Sequence, residues 1–456
     1  MKVLKFGGTS VGSPERMHAL EKLIASNDKR IVVLSAVAGT TNALVEISGT
    51  FAKGDQKAAI ALFAKGDQKA AIALIDKLNN KYKVFVQELF KSEAGRKKGN
   101  ELIEAHFNFI RDFAKDVFTV HEERAILAQG ELLSTALFHY YLEEKGVASV
   151  LLSALDFMRI DGDNEPILSY IENHLTAELA KHPDCSLFIT QGFICRNAFG
   201  ETDNLKRGGS DYSASLIGAA IRSEEIQIWT DIDGMHNNDP RYVKPTFPIA
   251  ELSFDEAAEL AYFGAKILHP STIWPAQKYN IPVRLLNTME PSAKGTLIKE
   301  HAKSGDIIAI AAKDGITVIK IKSSRMLLAY GFLRSVFEVF ELYKTPIDMI
   351  ATSEVAVSIT IDNPTHLDKI VAELEQYGAV EVDRDQTIIC IVGDLMGDKK
   401  GYASKIFDTL KSISIRMISF GGSNNNVSLL VNSEFKIPAL QALNVGLFAE
   451  KIKQTV

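Results

Sequence analysis

Lys5-Phe6-Gly7-Gly8-Thr9-Ser10 follows directly on the apolar pair Val3-Leu4, and a run with helical character, Pro14 to Ile24, comes after it. A short apolar strand that feeds a Gly-Gly loop and then a helix is an arrangement suited to holding phosphate. Glycine lets backbone N–H groups approach an anion with no Cβ in the way, and the helix N-terminus presents a positive dipole end. Lys5 adds a full positive charge at the same place. The spacing is neither the GxxxxGK[ST] of a P-loop nor a GxGxxG fingerprint. A Gly-Gly pair alone is often no more than a tight turn, so the rest of the chain has to decide.

At 456 residues, with 46% hydrophobic and 24% charged residues, the composition is that of a soluble globular protein with two or three domains. The formal net charge of −6 argues against nucleic acid as a main partner. Cys185, Cys195 and Cys390 lie far apart, form no CxxC pattern, and fit a reducing compartment without a disulfide framework or zinc site. No signal-peptide pattern opens the chain, and no apolar run approaches the roughly 20 residues that span a bilayer. A cytoplasmic protein with no membrane partner is expected.

The run Ile31-Val32-Val33-Leu34 has the continuous apolar character of a buried parallel strand, and it ends in the small, hydroxyl-rich loop Ser35-Ala36-Val37-Ala38-Gly39-Thr40-Thr41-Asn42. Ligands in open α/β sheets bind beyond the carboxyl ends of strands, which makes this loop either a site wall or a plain connector. Residues 44–145 are almost wholly helical in pattern. Within them residues 51–62 recur unchanged as residues 63–74, a duplication whose Gly-Asp pairs at 54–55 and 66–67 are expected to break the helix. Glu131, among Leu127, Leu132 and Leu133, is either solvated or turned inward toward a ligand.

Between 147 and 230, strand candidates at 149–152, 187–190 and 227–230 alternate with helical segments, the signature of a doubly wound α/β domain. Gln191-Gly192-Phe193 and Thr230-Asp231 follow two of these strands. Arg207-Gly208-Gly209-Ser210-Asp211 is a second Gly-Gly loop at the head of a helix. Its arginine suits bidentate capture of a carboxylate or phosphate, while Ser210 or Asp211 is open to being a simple N-cap. Beyond about 307 the pattern strand–helix–strand–strand–helix, about 70 residues long, occurs twice, as two ferredoxin-like α+β modules. Their open sheet edges invite pairing with each other or a second chain.

Taken together, Lys5-Phe6-Gly7-Gly8-Thr9-Ser10-Val11, Gln191-Gly192-Phe193, Arg207-Gly208-Gly209-Ser210-Asp211-Tyr212, Trp229-Thr230-Asp231, Asp239-Pro240-Arg241 and Phe263-Gly264-Ala265-Lys266-Ile267-Leu268-His269-Pro270 resemble, in order and spacing, the motifs of aspartate kinases. The tail resembles their paired ACT domains. The resemblance implies an amino-acid-kinase catalytic domain over 1–300, a first ACT-like module over 301–380 and a second over 381–456. It implies ATP-dependent phosphorylation of the side-chain carboxylate of L-aspartate, with Mg²⁺ carried on the nucleotide. Feedback by an amino acid, expected to be L-lysine, and a homo-oligomer formed through the ACT modules follow from the same resemblance. Glutamate phosphorylation and an idle amino-acid sensor are the competing readings.

By resemblance, Lys5, Gly8 and Asp211 are catalytic, with Asp211 orienting the lysine. Ser35, Thr41, Glu131, Phe193, Arg207 and Ser210 would hold L-aspartate, Glu131 taking its ammonium. Lys5, Gly7, Gly8, Ser10, Thr230, Asp231, His236, Arg241 and Lys266 would hold ATP, and no protein ligand set for the metal is implied. Met326, Phe332, Leu333, Asp348, Ser353 and Glu354 match the effector site of lysine-inhibited relatives. Three departures stand out: Lys206 where relatives usually carry glycine, His236 where tyrosine is frequent, and Ala329 where lysine-inhibited relatives tend to carry serine. An ionised carboxylate nucleophile, pKa about 3.9, needs no general base, so the site calls for positioning and charge neutralisation.

Overall fold

A computed structural model of the chain describes residues 1–52, 68–115, 118–205, 208–264, 268–302, 307–323, 330–394 and 400–455. Arg207, Lys266 and Met326, the departures Lys206 and Ala329, and both Gly-Asp pairs of the duplication lie outside the described residues.

The elements in chain order begin β1 (Lys2–Phe6), α1 (Pro14–Ile24), β2 (Arg30–Leu34), α2 (Thr40–Ala52), α3 (Gln68–Leu89), α4 (Glu93–Asp112), α5 (Val120–Glu144), β3 (Val150–Leu152), α6 (Ala154–Phe157) and α7 (Leu168–Ala180). They continue with β4 (Leu187–Gln191), β5 (Ile194–Arg196), β6 (Thr202–Asn204), α8 (Gly209–Ala220), β7 (Ile226–Thr230), β8 (Glu251–Ser253), α9 (Phe254–Tyr262), α10 (Pro270–Lys278), β9 (Val283–Asn287) and β10 (Thr296–Lys299). The last group is β11 (Ile307–Lys322), α11 (Phe332–Leu342), β12 (Ile350–Thr352), β13 (Ala356–Ile361), α12 (Leu367–Leu374), β14 (Ala379–Gly393), α13 (Tyr402–Thr409), β15 (Ile415–Phe420), β16 (Asn426–Asn432) and α14 (Lys436–Thr455). None of the described helices is long and apolar enough to cross a membrane.

The chain divides into two units, Met1–Gly234 with Ile267–Glu300, and Met235–Lys266 with His301–Val456. In the first unit the strands run in the order β3-β4-β2-β1-β7-β9-β10. All pair in parallel up to β9, and β10 returns antiparallel. The doubly wound reading therefore holds. The chain moves outward from β1 on one side, then crosses to β7 on the other, which puts a topological switch point at β1. The loops after β1, β2, β4 and β7 all leave the same edge. Phe6, Met17, Leu34, Tyr82, Phe107 and Phe138 are among the buried side chains of one core that joins sheet and helices.

The second unit differs from the sequence-contiguous division. Its sheet runs β12-β13-β11-β14-β16-β15. Strand β11 is one continuous 16-residue element, and it pairs with β14 from Ile307↔Gly393 to Lys322↔Ala379. Ile319 and Ile321 from its second half pack with Val336, Phe340 and Ile370 of α11 and α12. Ile307 and Ile310 from its first half pack instead with Ile406, Leu440 and Phe448 of α13 and α14. The two modules are present, but each borrows half of one strand, so no cut at residue 380 separates them.

The expected segment 1–300 also loses 235–266 to this unit. Val243 is buried in the α13–α14 core, Asn237 Nδ2 donates to Asn444 Oδ1 at 2.9 Å, and Ile310 N donates to Asn237 O at 2.9 Å. These contacts lie far apart in sequence and leave no periodic signal.

Gly295 marks the turn into β10. Its φ is +65°, and a Cβ there would stand 1.8 Å from Leu285 O on the neighbouring strand. Gly295→Ala is expected to destabilise the first unit by about 3 kcal/mol, from a left-handed backbone and a clash with main chain. An unchanged thermal melt of the variant would sink this account of the turn.

Candidate active site

Lys5 is the penultimate residue of β1, and parallel pairing with β2 and β7 on both sides buries it. Its Nζ meets Asp211 Oδ1 at 2.6 Å. Asp211 stands in the first turn of α8, whose N-cap is Gly208 at φ +72° with no side-chain cap. The N-cap alternative for Ser210 and Asp211 therefore falls, and both side chains are left to face the loops. Removing one partner of such a mostly buried pair costs about 3–5 kcal/mol through the uncompensated charge left behind.

The Gly-Gly loop after β1 is shaped by close approach. A Cβ on Gly8 would meet Ala36 O at 2.9 Å, and one on Gly7 would stand 3.5 Å from Lys5 Nζ, in front of the ammonium. Ser10 N donates to Gly7 O at 2.9 Å, and the fully buried Ser10 hydroxyl meets Thr288 Oγ1 at 2.7 Å. Ser10 thus holds the loop's shape against the end of β9. The same edge carries Thr230 and the exposed Asp231. The Thr230 hydroxyl donates to Asp231 Oδ1 at 3.3 Å, and its backbone carbonyl accepts from Thr288 N at 2.8 Å.

A cavity of about 340 Å³ opens beside this loop, between Gly8, Ser35, Thr41, Glu131, Phe193 and Ser210. Ala36, Val37, Ala38, Gly39, Asn42 and Gly209 complete its lining, and none of these described residues is cationic. Two helix N-termini converge here, α2 through Thr41 and Asn42 and α8 through Gly209 and Ser210. Their unpaired first-turn N–H groups favour anionic ligand groups. Phe193 adopts φ +66°, and its N–H donates to Ser213 Oγ at 2.8 Å. Gly192 beside it is required, because a Cβ would fall 2.3 Å from the Ser210 Cβ.

Glu131 is the one acid of the cavity, 4% exposed, on the long helix α5. The inward alternative is the one realised. Oε1 accepts the Ala36 N–H at 3.2 Å, while Oε2 is buried with no hydrogen-bond partner. Desolvation pushes its pKa up from 4.5 to about 7, against the weaker pull of the Ala36 and Glu131 backbone N–H groups. The neighbouring turn is fixed by Ser134 Oγ donating to Ser35 O at 2.8 Å, and by Gln191 Nε2 donating to Thr135 Oγ1 at 2.8 Å.

Lys5, Gly8, Ser35, Thr41, Glu131, Phe193, Ser210 and Asp211 are thus brought together, with Gly7, Ser10, Thr230 and Asp231 on the same edge of the first unit. His236 and Arg241 belong to the second unit. There His236 Nδ1 meets Thr246 Oγ1 at 3.0 Å, and Arg241 forms a two-point pair with Asp239, Nε to Oδ1 at 2.9 Å and Nη2 to Oδ2 at 2.5 Å. Thr288 was missed, since nothing in the local sequence around it signals a contact with residue 10. Asn42 and Gly209 lay within loops already singled out.

In the second unit the side chain of Asp348 is 1% exposed, and its Oδ1 is shared by Lys313 Nζ at 2.6 Å and Tyr262 Oη at 2.6 Å. Its Oδ2 is buried without a hydrogen-bond partner. Phe332 and Leu333 open α11, while Ser353 and Glu354 are exposed in the turn between β12 and β13. Among the described residues no group of three or more His, Cys, Asp or Glu is placed to hold a metal ion.

The glutamate's environment makes a stability claim. Its folded pKa lies above the unfolded 4.5, so no penalty exists below pH 4.5, and the native state loses stability as pH rises from there to about 7. Above that the penalty is about 3 kcal/mol. The melting temperature of Glu131→Gln relative to the unsubstituted protein is expected to be higher at pH 8 than at pH 5. A difference independent of pH would overturn the buried, uncharged state.

Residues 1–287 match the family model described as the amino acid kinase family, and residues 389–446 match an ACT domain. The chain is 32% identical over 459 residues to lysine-sensitive aspartokinase 3 of Escherichia coli strain K12, covering 98% of this chain and 99% of that one. It superposes on the crystal structure of E. coli aspartokinase III with aspartate and ADP at a TM-score of 0.83 with 31% identity, covering 98% of this chain and 100% of that one. The lysine- and aspartate-bound structure of the same enzyme gives a TM-score of 0.77, again with 31% identity, covering 98% and 99%. With a cavity that pairs two helix N-termini and a buried acid beside a lysine-bearing Gly-Gly loop, and with full-length similarity of this order, the chain belongs to the aspartokinase family.

Proposed function

We propose that the cavity beside Gly8 receives L-aspartate and that the loop in front of Lys5 receives the terminal phosphates of ATP, the enzyme being an aspartate kinase. The observation that carries the reading is the match of charges. L-Aspartate brings two carboxylates and one ammonium, and the cavity offers two helix N-termini and one buried carboxylate with a free oxygen. The ammonium binds Glu131 and restores its negative charge, while the α-carboxylate and side-chain carboxylate lie at the first turns of α2 and α8. Thr41, Ser35, Ser210 and Phe193 set the shape of the pocket.

The side-chain carboxylate is already ionised, so it attacks the γ-phosphorus without a base. A carboxylate O–P bond forms, the bridging Pβ–O–Pγ bond breaks, and ADP leaves with the electron pair. Lys5, held in place by Asp211, neutralises charge on the transferring group, and the N–H groups of the Gly7-Gly8 loop add to it. Mg²⁺ carried with the nucleotide would supply further neutralisation; among the described residues no group of three or more acidic, His or Cys side chains is placed to hold it. On the first unit, Thr230 and Asp231 serve the rest of the nucleotide.

L-Lysine is the effector that the family relationship and the second unit favour. Its ammonium groups have two carboxylates to address, the unpartnered Oδ2 of Asp348 and the exposed Glu354. Strand β15, at one edge of the second unit's sheet, exposes Ile418 at 46% and Phe420 at 51%. Such an edge suits pairing with a second copy of the chain, and makes the homo-oligomer. Ile418→Lys with Phe420→Lys is expected to lower the sedimenting mass, and an unchanged mass would exclude this edge.

The test of the activity is ATP turnover with L-aspartate, trapping the acyl phosphate with hydroxylamine. Turnover that L-lysine suppresses is expected, with Lys5→Met reducing kcat by roughly a thousandfold. Because Glu131 must be ionised to hold the ammonium, kcat/KM for aspartate should fall about tenfold per pH unit below pH 7. Turnover with glutamate and none with aspartate would overturn the substrate assignment.

A further inference from the structure

The aspartate pocket is held by a helix that contributes nothing to its lining. Residues 36–42 form much of the wall, and two consecutive residues of α3 reach that segment from behind. Tyr82 Oη meets Thr40 Oγ1 at 2.9 Å, and Lys81 Nζ donates to Ala38 O at 3.2 Å. Tyr82 is 1% exposed and Thr40 fully buried, so the hydroxyl pair is closed to water. The phenol is fixed by its ring, edge-on to Phe107 at 5.7 Å and tilted on Phe85 at 6.2 Å. Burial pushes its pKa well up, with the Thr40 hydrogen bond opposing and the charge of Glu131 adding, so the hydroxyl stays neutral.

Thr40 is the first residue of α2, and the next two residues, Thr41 and Asn42, stand in the cavity wall. Gly39 before it sits at φ +79°, a position that leaves the segment without stiffness of its own. From the other side, α5 presses on the same place. A Cβ at Gly130 would lie 2.8 Å from the Ala36 Cβ and 3.4 Å from Thr40 Cγ2, and the next residue is Glu131, which accepts the Ala36 N–H. The wall is therefore gripped between α5 and α3, and α3 adds two hydrogen bonds to the apolar packing of that core.

We propose that Tyr82, assisted by Lys81, is a positioning residue for substrate: the Tyr82–Thr40 hydroxyl pair fixes the start of α2 against Glu131 and so sets the affinity for L-aspartate. The inference rests on the assignment of this cavity to aspartate. It locates part of the substrate affinity on a helix outside the pocket whose first residues, 68–74, belong to the duplicated segment. Neither side chain touches substrate, and the effect works through the backbone of Thr41 and Asn42.

Steady-state kinetics of the full chain test it. Tyr82→Phe, which deletes one oxygen, is expected to raise KM for aspartate roughly tenfold while KM for ATP and kcat stay within about twofold. Thr40→Val should do the same, and the double variant should be no worse than either single one, the mark of one shared interaction. Lys81→Ala, at an exposed position with little bearing on folding, should raise KM for aspartate by a smaller factor that Lys81→Arg restores. A Tyr82→Phe enzyme with unchanged KM for aspartate, or with both KM values raised together, would overturn the proposal. Glu131→Gln separates the two levels. If it raises KM for aspartate while Tyr82→Phe does not, only the positioning role fails; if Glu131→Gln leaves that KM unchanged, the cavity is not the aspartate pocket.

Discussion

The ion pair between Lys5 and Asp211 is the constraint on which the catalytic unit depends. It joins the end of β1 to the first turn of α8, two places separated by about two hundred residues, and it does so where both side chains are mostly buried. Lys5 is anchored by a strand paired on both sides, so its ammonium has little freedom. Asp211 stands at a helix start where the dipole already favours a negative charge. The pair therefore presents an ammonium of fixed position to whatever lies in front of the Gly7-Gly8 loop. A positive charge that does not reorganise during the reaction is what phosphoryl transfer between two anions requires.

Glu131 shows the opposite economy. The protein holds a carboxylate where desolvation disfavours its charge, and it leaves one oxygen without a partner. Such a group weakens the free protein above its pKa, and in the proposed complex the ammonium of L-aspartate would supply the countercharge and the hydrogen bond it lacks. In that proposal, discrimination of an amino acid from a plain dicarboxylate would come from this single unsatisfied atom, since a ligand without the ammonium would leave the carboxylate buried alone.

The second unit is organised by strand length. At 16 residues β11 extends about 50 Å, long enough to serve two helical layers in succession. Its two halves belong to different cores, which couples the modules through one continuous backbone. Lys313, in the middle of that strand, pairs with Asp348 and Asp362, and Tyr262 at the end of α9 shares the Asp348 oxygen. A carboxylate expected to await an effector is thus already engaged by the protein's own cation. In the proposed effector site, an incoming ammonium would add to this pairing at the remaining oxygen or compete with Lys313.

By itself the sequence determined the elements and the chemistry carried by local pattern: the strand–loop–helix at residues 2–24, the second Gly-Gly loop, the parallel α/β class and the two α+β modules. These are legible because periodicity, glycine and charge act over a few residues. The tertiary structure alone decided that Glu131 faces inward, that Ser10 meets Thr288, that 235–266 joins the second unit, that β11 is shared, and that Tyr82 stands behind the pocket wall. Each of these is a contact between residues far apart in the chain, formed because a helix or strand must bury one face against a particular neighbour. No local pattern names that neighbour, so only packing could settle it.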